Sequence, residues 1–162
     1  MITASAMSNL KSFMREQLVA TAKYFRADCE ALSDERFVQR PASSARSPID
    51  LTYEVAVINQ RIAKRFKHED PGPFEFTGWV TAPEGYGSKA QAMADFDASV
   101  QALLDAWDAI PDDRIWDPVP ITGGNSPGVD MIFFCIYHMG YHDGQLNYIQ
   151  TLGGDELMHW SD

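Results

Sequence analysis

The chain has 162 residues, 45% of them apolar and 22% charged, and a formal net charge of −10. That is the make-up of one soluble domain, residues 1–162, large enough to bury a core. The acidic balance argues against nucleic acid, because neutralising phosphates takes clustered Lys and Arg and the run Arg61, Lys64, Arg65, Lys67 is short. It also disfavours an anionic membrane surface. No apolar run approaches the ~20 residues of a membrane span, and the start MITASAM lacks the basic and apolar regions of a signal peptide. A cytoplasmic protein is expected. Cys29 and Cys135 are too few and too far apart for a disulfide framework and read as reduced, buried thiols.

From Ser8 to Leu32, apolar residues such as Leu10, Phe13, Met14, Leu18 and Phe25 recur at steps of three and four, predicting a first long helix that Ser33-Asp34 closes. The segment 37–46, with Pro41 and Ser-Ser-Ala, reads as loop. Ser47 as N-cap, Pro48 as first residue and Asp50 at the third position then mark a second helix. Its apolar stripe is Leu51, Val55, Ile58 and Ile62, and it ends near Lys67. The irregular stretch His68–Gly87 is long for a compact domain; Phe74, Phe76, Trp79 and Tyr86 give it surface to pack down as a lid, a crossover, or both.

A capping box of Ser88 and Gln91 opens the third helix. Met93, Phe96, Val100, Leu103, Trp107 and Ile110 form its seam, with no inward polar group, until Pro111 ends it. Residues 112–125 read as loop. Ser126-Pro127 repeats the cap-plus-proline start for a last helix, stopped by Gly153-Gly154. His159 and Trp160 read as surface or tail-packing residues. Four long helices without a convincing strand make an all-α four-helix bundle.

The last helix carries the chemistry. His138 and His142 stand four residues apart, so their imidazoles stack on one face with Cβ atoms roughly 5–6 Å apart. Two neutral ring nitrogens at that separation can share one divalent metal. Glu54 interrupts the apolar stripe of the second helix, where a desolvated carboxylate must be protonated, paired with a cation or bound to metal. Two histidines and a carboxylate with an open position suit zinc, nickel or ferrous iron. Asn59 and Gln145 are candidate supporting or substrate-contacting groups. Asp143 points about 100° away from His142 and is expected at the surface or an interface. Tyr53 and Tyr141 read as packing groups.

The stretch HMGYHDGQLNYIQTLGG resembles the H-x3-H-x-G-Q ending of the DinB-like (YfiT-type) four-helix bundles. The capped start SPIDLTYE resembles the same family's S-x6-H, with Glu54 where that family usually has histidine. The resemblance implies an up-down-down-up bundle with a long link between its second and third helices. It also implies a divalent metal held by one residue of the second helix and two of the last, here Glu54, His138 and His142. Frequent dimers and metal-dependent chemistry on low-molecular-weight thiols belong to the same expectation. Two function classes follow. One is a metal-dependent enzyme, a thiol transferase or hydrolase acting on a small molecule. The other is a non-catalytic binding or stress-related module in which the same three residues form a buried polar network. No phosphate loop, Ser-His-Asp signature or nucleotide fingerprint is present.

Overall fold

A computed structural model describes residues 3–74 and 78–160. The helices are α1 (Ala4–Ala31), α2 (Asp34–Val38), α3 (Pro48–Phe66), α4 (Lys89–Asp108) and α5 (Gly128–Leu152). A single 3-10 turn (Asp112–Arg114) and the strands β1 (Pro118–Ile121) and β2 (Gly124–Pro127) lie between α4 and α5. The four long helices enclose a core in which Trp107, Phe25, Phe37 and Phe96 are the largest fully buried side chains.

Side-chain pairs along the helices give the topology. Asp50 Oδ1 at the start of α3 accepts from the Ala82 amide at 2.9 Å, shortly before α4 begins. Asn59 meets Ser99 midway, and Phe66 meets Trp107 at the far ends with ring centroids 5.8 Å apart. Thus α3 and α4 run parallel. Helix α1 opposes them: its late Phe25 stacks on the early Phe96 of α4 at 4.9 Å, while its early Arg15 bonds the late Asp108 at 2.9 Å. Helix α5 also opposes α3, with Gly128 beside Phe66 and His142 beside Glu54. The bundle is up-down-down-up, as the resemblance implies, and the parallel α3–α4 pair is what requires the long connection from Lys67 to Ser88.

The helix starts follow their chemistry. Asp50 accepts from the Ser47 amide at 3.1 Å and from its hydroxyl at 2.7 Å, closing the α3 capping box. Its other oxygen holds Ala82, so one carboxylate both caps α3 and ties down the α3–α4 connection. Of the box predicted at Ser88 the hydroxyl arm forms, accepting from Gln91 N at 3.1 Å.

Four details differ from expectation. Ser33 does not only end α1; it caps α2, which buries Phe37 and sends Arg36 to the Ile149 carbonyl at 3.0 Å. The seam of α4 contains the fully buried Ser99, which bonds the Phe96 carbonyl at 2.7 Å and so satisfies its own hydroxyl. Residues 118–127 form a hairpin, pairing Val119 with Ser126 and Ile121 with Gly124 around Thr122-Gly123. Its prolines would break an inner strand but are tolerated in a two-stranded ribbon with free edges. Ser126-Pro127 accordingly ends β2; Pro127, not Ser126, takes the N-cap position of α5, and no side chain caps it. The first amides of α5 go instead to loop carbonyls, Gly128 to Asp117 at 3.1 Å and Val129 to Ile115 at 2.8 Å.

Those two bonds bring backbone against backbone. A Cβ on Gly128 would stand 2.9 Å from the Ile115 carbonyl oxygen. Gly128→Ala is therefore expected to destabilise the fold by about 1–3 kcal/mol, read as a lower urea midpoint with an unchanged slope.

Candidate metal centre

Glu54 lies two turns into α3, and the antiparallel packing of α3 on α5 sets it opposite His138 and His142. His142 Nε2 is 3.1 Å from His138 Nε2 and 3.4 Å from Glu54 Oε2; His138 Nε2 is 3.7 Å from Glu54 Oε1. One ligand atom from each residue lies within 4.8 Å of the others. A tetrahedral ion with bonds of about 2.0–2.1 Å needs its ligand atoms about 3.4 Å apart. The three spacings bracket that value, so the donor set fits a divalent metal.

The protonation pattern also fits. Gln145 Oε1 lies 2.8 Å from His142 Nδ1; with the hydrogen on Nδ1, Nε2 keeps a free lone pair toward Glu54 and His138. Burial, with the neighbouring His138, pushes the His142 imidazole down to about 4, so it stays neutral and ligand-competent at pH 7. Burial works against the Glu54 carboxylate. The neighbouring His138 ring and the Arg46 guanidinium outweigh it and hold Glu54 below the ordinary glutamate range. Phe134 stacks on His138 with centroids 5.5 Å apart and limits its rotation.

Arg46 is the residue that the sequence reading missed. It precedes the Ser47 cap, its guanidinium forms a salt bridge with Glu54, and its side chain is only 8% exposed. It also lies 3.4 Å from Gln145 Oε1, with the Trp79 ring 4.6 Å above it. Trp79 thus brings the α3–α4 connection over the site, while Phe74 and Tyr86 pack against the core; Phe76 lies outside the described residues. Of the two alternatives for that connection, it crosses over and also covers.

Gln145 is where the sequence placed it, beside His142. Asn59 is fully buried, but its hydrogen-bond partners are Ser99 and the Met139 sulfur, not the histidines. Tyr53 packs edge-on against Tyr86, and Tyr141 packs edge-on against His142. Cys29 and Cys135 are free and fully buried, and burial pushes both thiols up. Trp160 stacks on Tyr24 at 5.2 Å, packing the tail as expected.

Asp143 departs from expectation. It is 4% exposed, turned inward toward α1, where it lies against the Asp28 carboxylate. Asp28 accepts from Asn147 Nδ2 and Trp160 Nε1, both at 2.6 Å, and its carbonyl accepts from Gln150 at 2.9 Å. The 100° rotation was read correctly; the face it points to is buried against α1 and not free.

A helical bundle with a carboxylate and two imidazoles converging in its core defines a class: an all-α protein with a site that could hold a metal. The DinB superfamily model matches residues 17–146, and the chain belongs to that superfamily. Solved structures agree on the fold. A conserved protein of Enterococcus faecalis superposes with TM-score 0.68 at 18% identity, covering 87% of this chain and 95% of its own. A DinB-like protein of Bacillus cereus gives 0.69 at 15% identity, covering 87% and 91%. A DinB-like protein of Bacillus subtilis gives 0.68 at 14%, covering 92% and 98%. Comparison with curated proteins finds none that matches. Among the described residues no helix is long and apolar enough to cross a membrane.

The acid pair on the α1 side makes a pH prediction. Burial, then the Asp28 carboxylate, raises Asp143 from 3.8 to about 8. Its folded-state pKa lies above the unfolded one, so folding favours the protonated form. The contribution is fully present below about pH 4 and is lost as pH rises toward 8. Asp143→Asn removes that titration. Its urea midpoint, relative to the natural chain, is expected to rise between pH 5 and pH 8 and to level off above.

Proposed function

We propose that the protein is a metal-dependent enzyme of the thiol transferase or hydrolase type, with Glu54, His138 and His142 as ligands of a zinc, nickel or ferrous ion. The observation that carries this reading is the convergence of the two imidazole Nε2 atoms, 3.1 Å apart, on the two oxygens of the Glu54 carboxylate at 3.4 and 3.7 Å. A divalent ion bound there would supply Lewis acidity toward a bound thiol or water at neutral pH. Each protein group has a task in that chemistry. Gln145 fixes the His142 tautomer. Phe134 fixes the plane of His138. Arg46 keeps Glu54 ionised, and with Trp79 it closes one side of the site to water.

The substrate is a small molecule, with a low-molecular-weight thiol as the first candidate on family grounds. Neither nucleic acid nor membrane is proposed as a partner. A homodimer is proposed through α5, where Phe133, Tyr137, Tyr141 and Tyr148 are 46–66% exposed on one helix, an aromatic surface that a second copy would cover. The free, buried thiols of Cys29 and Cys135 are in keeping with a reducing cytoplasm.

The Arg46–Glu54 pair favours one rival reading, a metal-free polar network in which Arg46 is the cation that answers Glu54. Elemental analysis of protein purified without an affinity tag separates the two. The enzyme reading expects one ion per chain, or one recovered on soaking with zinc, nickel or ferrous iron. His138→Ala is then expected to weaken metal binding by more than the roughly 10–100-fold that loss of a supporting partner costs. No ion under any of these conditions would overturn it.

A further inference from the structure

The candidate metal centre opens into a groove of about 500 Å³ between α3, α5 and the hairpin. Glu54 and His138 form one end of it. Its walls are apolar, with Ile58, Ile62, Met131 and Phe134 among them. Its other end is cationic: Arg61 and Arg65 stand one turn apart on α3. Each guanidinium is anchored by carbonyl oxygens and not by a carboxylate. Arg61 donates to Pro71 and Gly72 at 3.0 Å and lies 4.6 Å over the Phe74 ring; Arg65 donates to Pro120 in the hairpin.

Among the described residues neither arginine forms an ion pair, although Arg15, Arg26, Arg46 and Arg114 all do. Arg36 is likewise held by a backbone carbonyl; what sets Arg61 and Arg65 apart is that both line the groove. Asp130 stands on the same rim but is exposed and bonded to neither. A guanidinium has five N–H donors, and Arg65 spends one on Pro120. Burial and the neighbouring Arg65 hold Arg61 below the usual arginine range, with Asp70 offsetting part of that shift.

The separation sets the ligand's length. A rise of about 1.5 Å per residue puts the Arg65 Cα roughly 16 Å along the axis from that of Glu54. Side chains on a helix all lean toward its N-terminus, so only the greater length of the Arg65 side chain shortens that gap, and the ligand that spans it is an extended one.

We propose that this groove binds a small carboxylate with an apolar stem, its carboxylate on Arg65 and its far end at Glu54 and His138. The carboxylate replaces the ion pair that the arginines lack, and the stem covers the isoleucine, Met131 and Phe134 walls. The part of the proposal that puts a reactive end at the metal rests on the enzyme reading above; the anion site on Arg65 does not.

The test uses the full chain stripped of metal with a chelator, titrated calorimetrically with octanoate and, separately, octanamide. Octanoate is expected to bind at least about ten-fold more tightly, the scale of a charge-assisted hydrogen bond. Arg65→Gln is expected to erase that preference and Arg65→Lys to keep part of it. Absence of octanoate binding, or a preference untouched by Arg65→Gln, overturns the groove. A second titration, of zinc-treated protein with 8-mercaptooctanoate, reads the other end. Tighter binding than octanoate supports a thiol at the metal. No gain, with the octanoate result intact, counts against the metal reading and leaves the anion site standing.

Discussion

Everything at the centre of this bundle depends on answering one negative charge. Glu54 is carried into a partly buried position by the same α3 stripe that builds the core, and its side chain keeps only 13% of its exposure. A carboxylate there would lose far more hydration than packing could return. The Arg46 guanidinium offsets the loss, and the two α5 imidazoles stand beside the carboxylate at 3.4 and 3.7 Å. Arg46 comes from the residue just before the α3 cap, so the capping box that starts the helix also fixes the origin of the arginine that neutralises it. Any dication that joined this set would share Glu54 with Arg46, and its affinity would be set by how far Arg46 can yield toward Gln145 and Trp79.

The polar clusters on α5 explain why that helix carries so much. His138 and His142 face α3, while Asp143 and Gln150 face α1. Two buried faces on one helix leave a third, and it is the aromatic one. Helix α5 is therefore enclosed by its own fold on two sides and leaves its remaining, aromatic surface exposed. Each polar group on a buried face has a counterpart on the opposing helix, which fixes the register of α5 against both neighbours. A slide of one turn would take His138 from Glu54 and Gln150 from Asp28 together.

How much of this was legible in the sequence divides along physical lines. Helix starts marked by Ser-Pro-x-Asp or by Ser-x-x-Gln are local chemistry, and both appear where that chemistry puts them. The spacing of the histidines, and of Glu54 from its cap, is helical geometry and survives folding unchanged. Arg46 was missed because a loop has no periodicity to say where a side chain points. Asp143 was misplaced because its direction relative to His142 is local, whereas what lies in that direction is set by α1, more than a hundred residues earlier. Ser99 stands outside the apolar seam read from the sequence; its hydroxyl closes on its own helix, a bond no apolar pattern reveals. The hairpin was hidden by its prolines, which are costly only where a strand has neighbours on both sides.

The unpaired arginines follow from the same reasoning applied to the site's surroundings. Leaving Arg61 and Arg65 on backbone carbonyls holds their position without neutralising them. A salt bridge would have held them equally well but would have to be broken whenever an anion arrived. Carbonyl anchors remain in place while the free N–H groups take a carboxylate, so binding there costs little rearrangement. The groove between them and Glu54 thus reads as one cavity with a fixed cation at one end and a candidate metal set at the other.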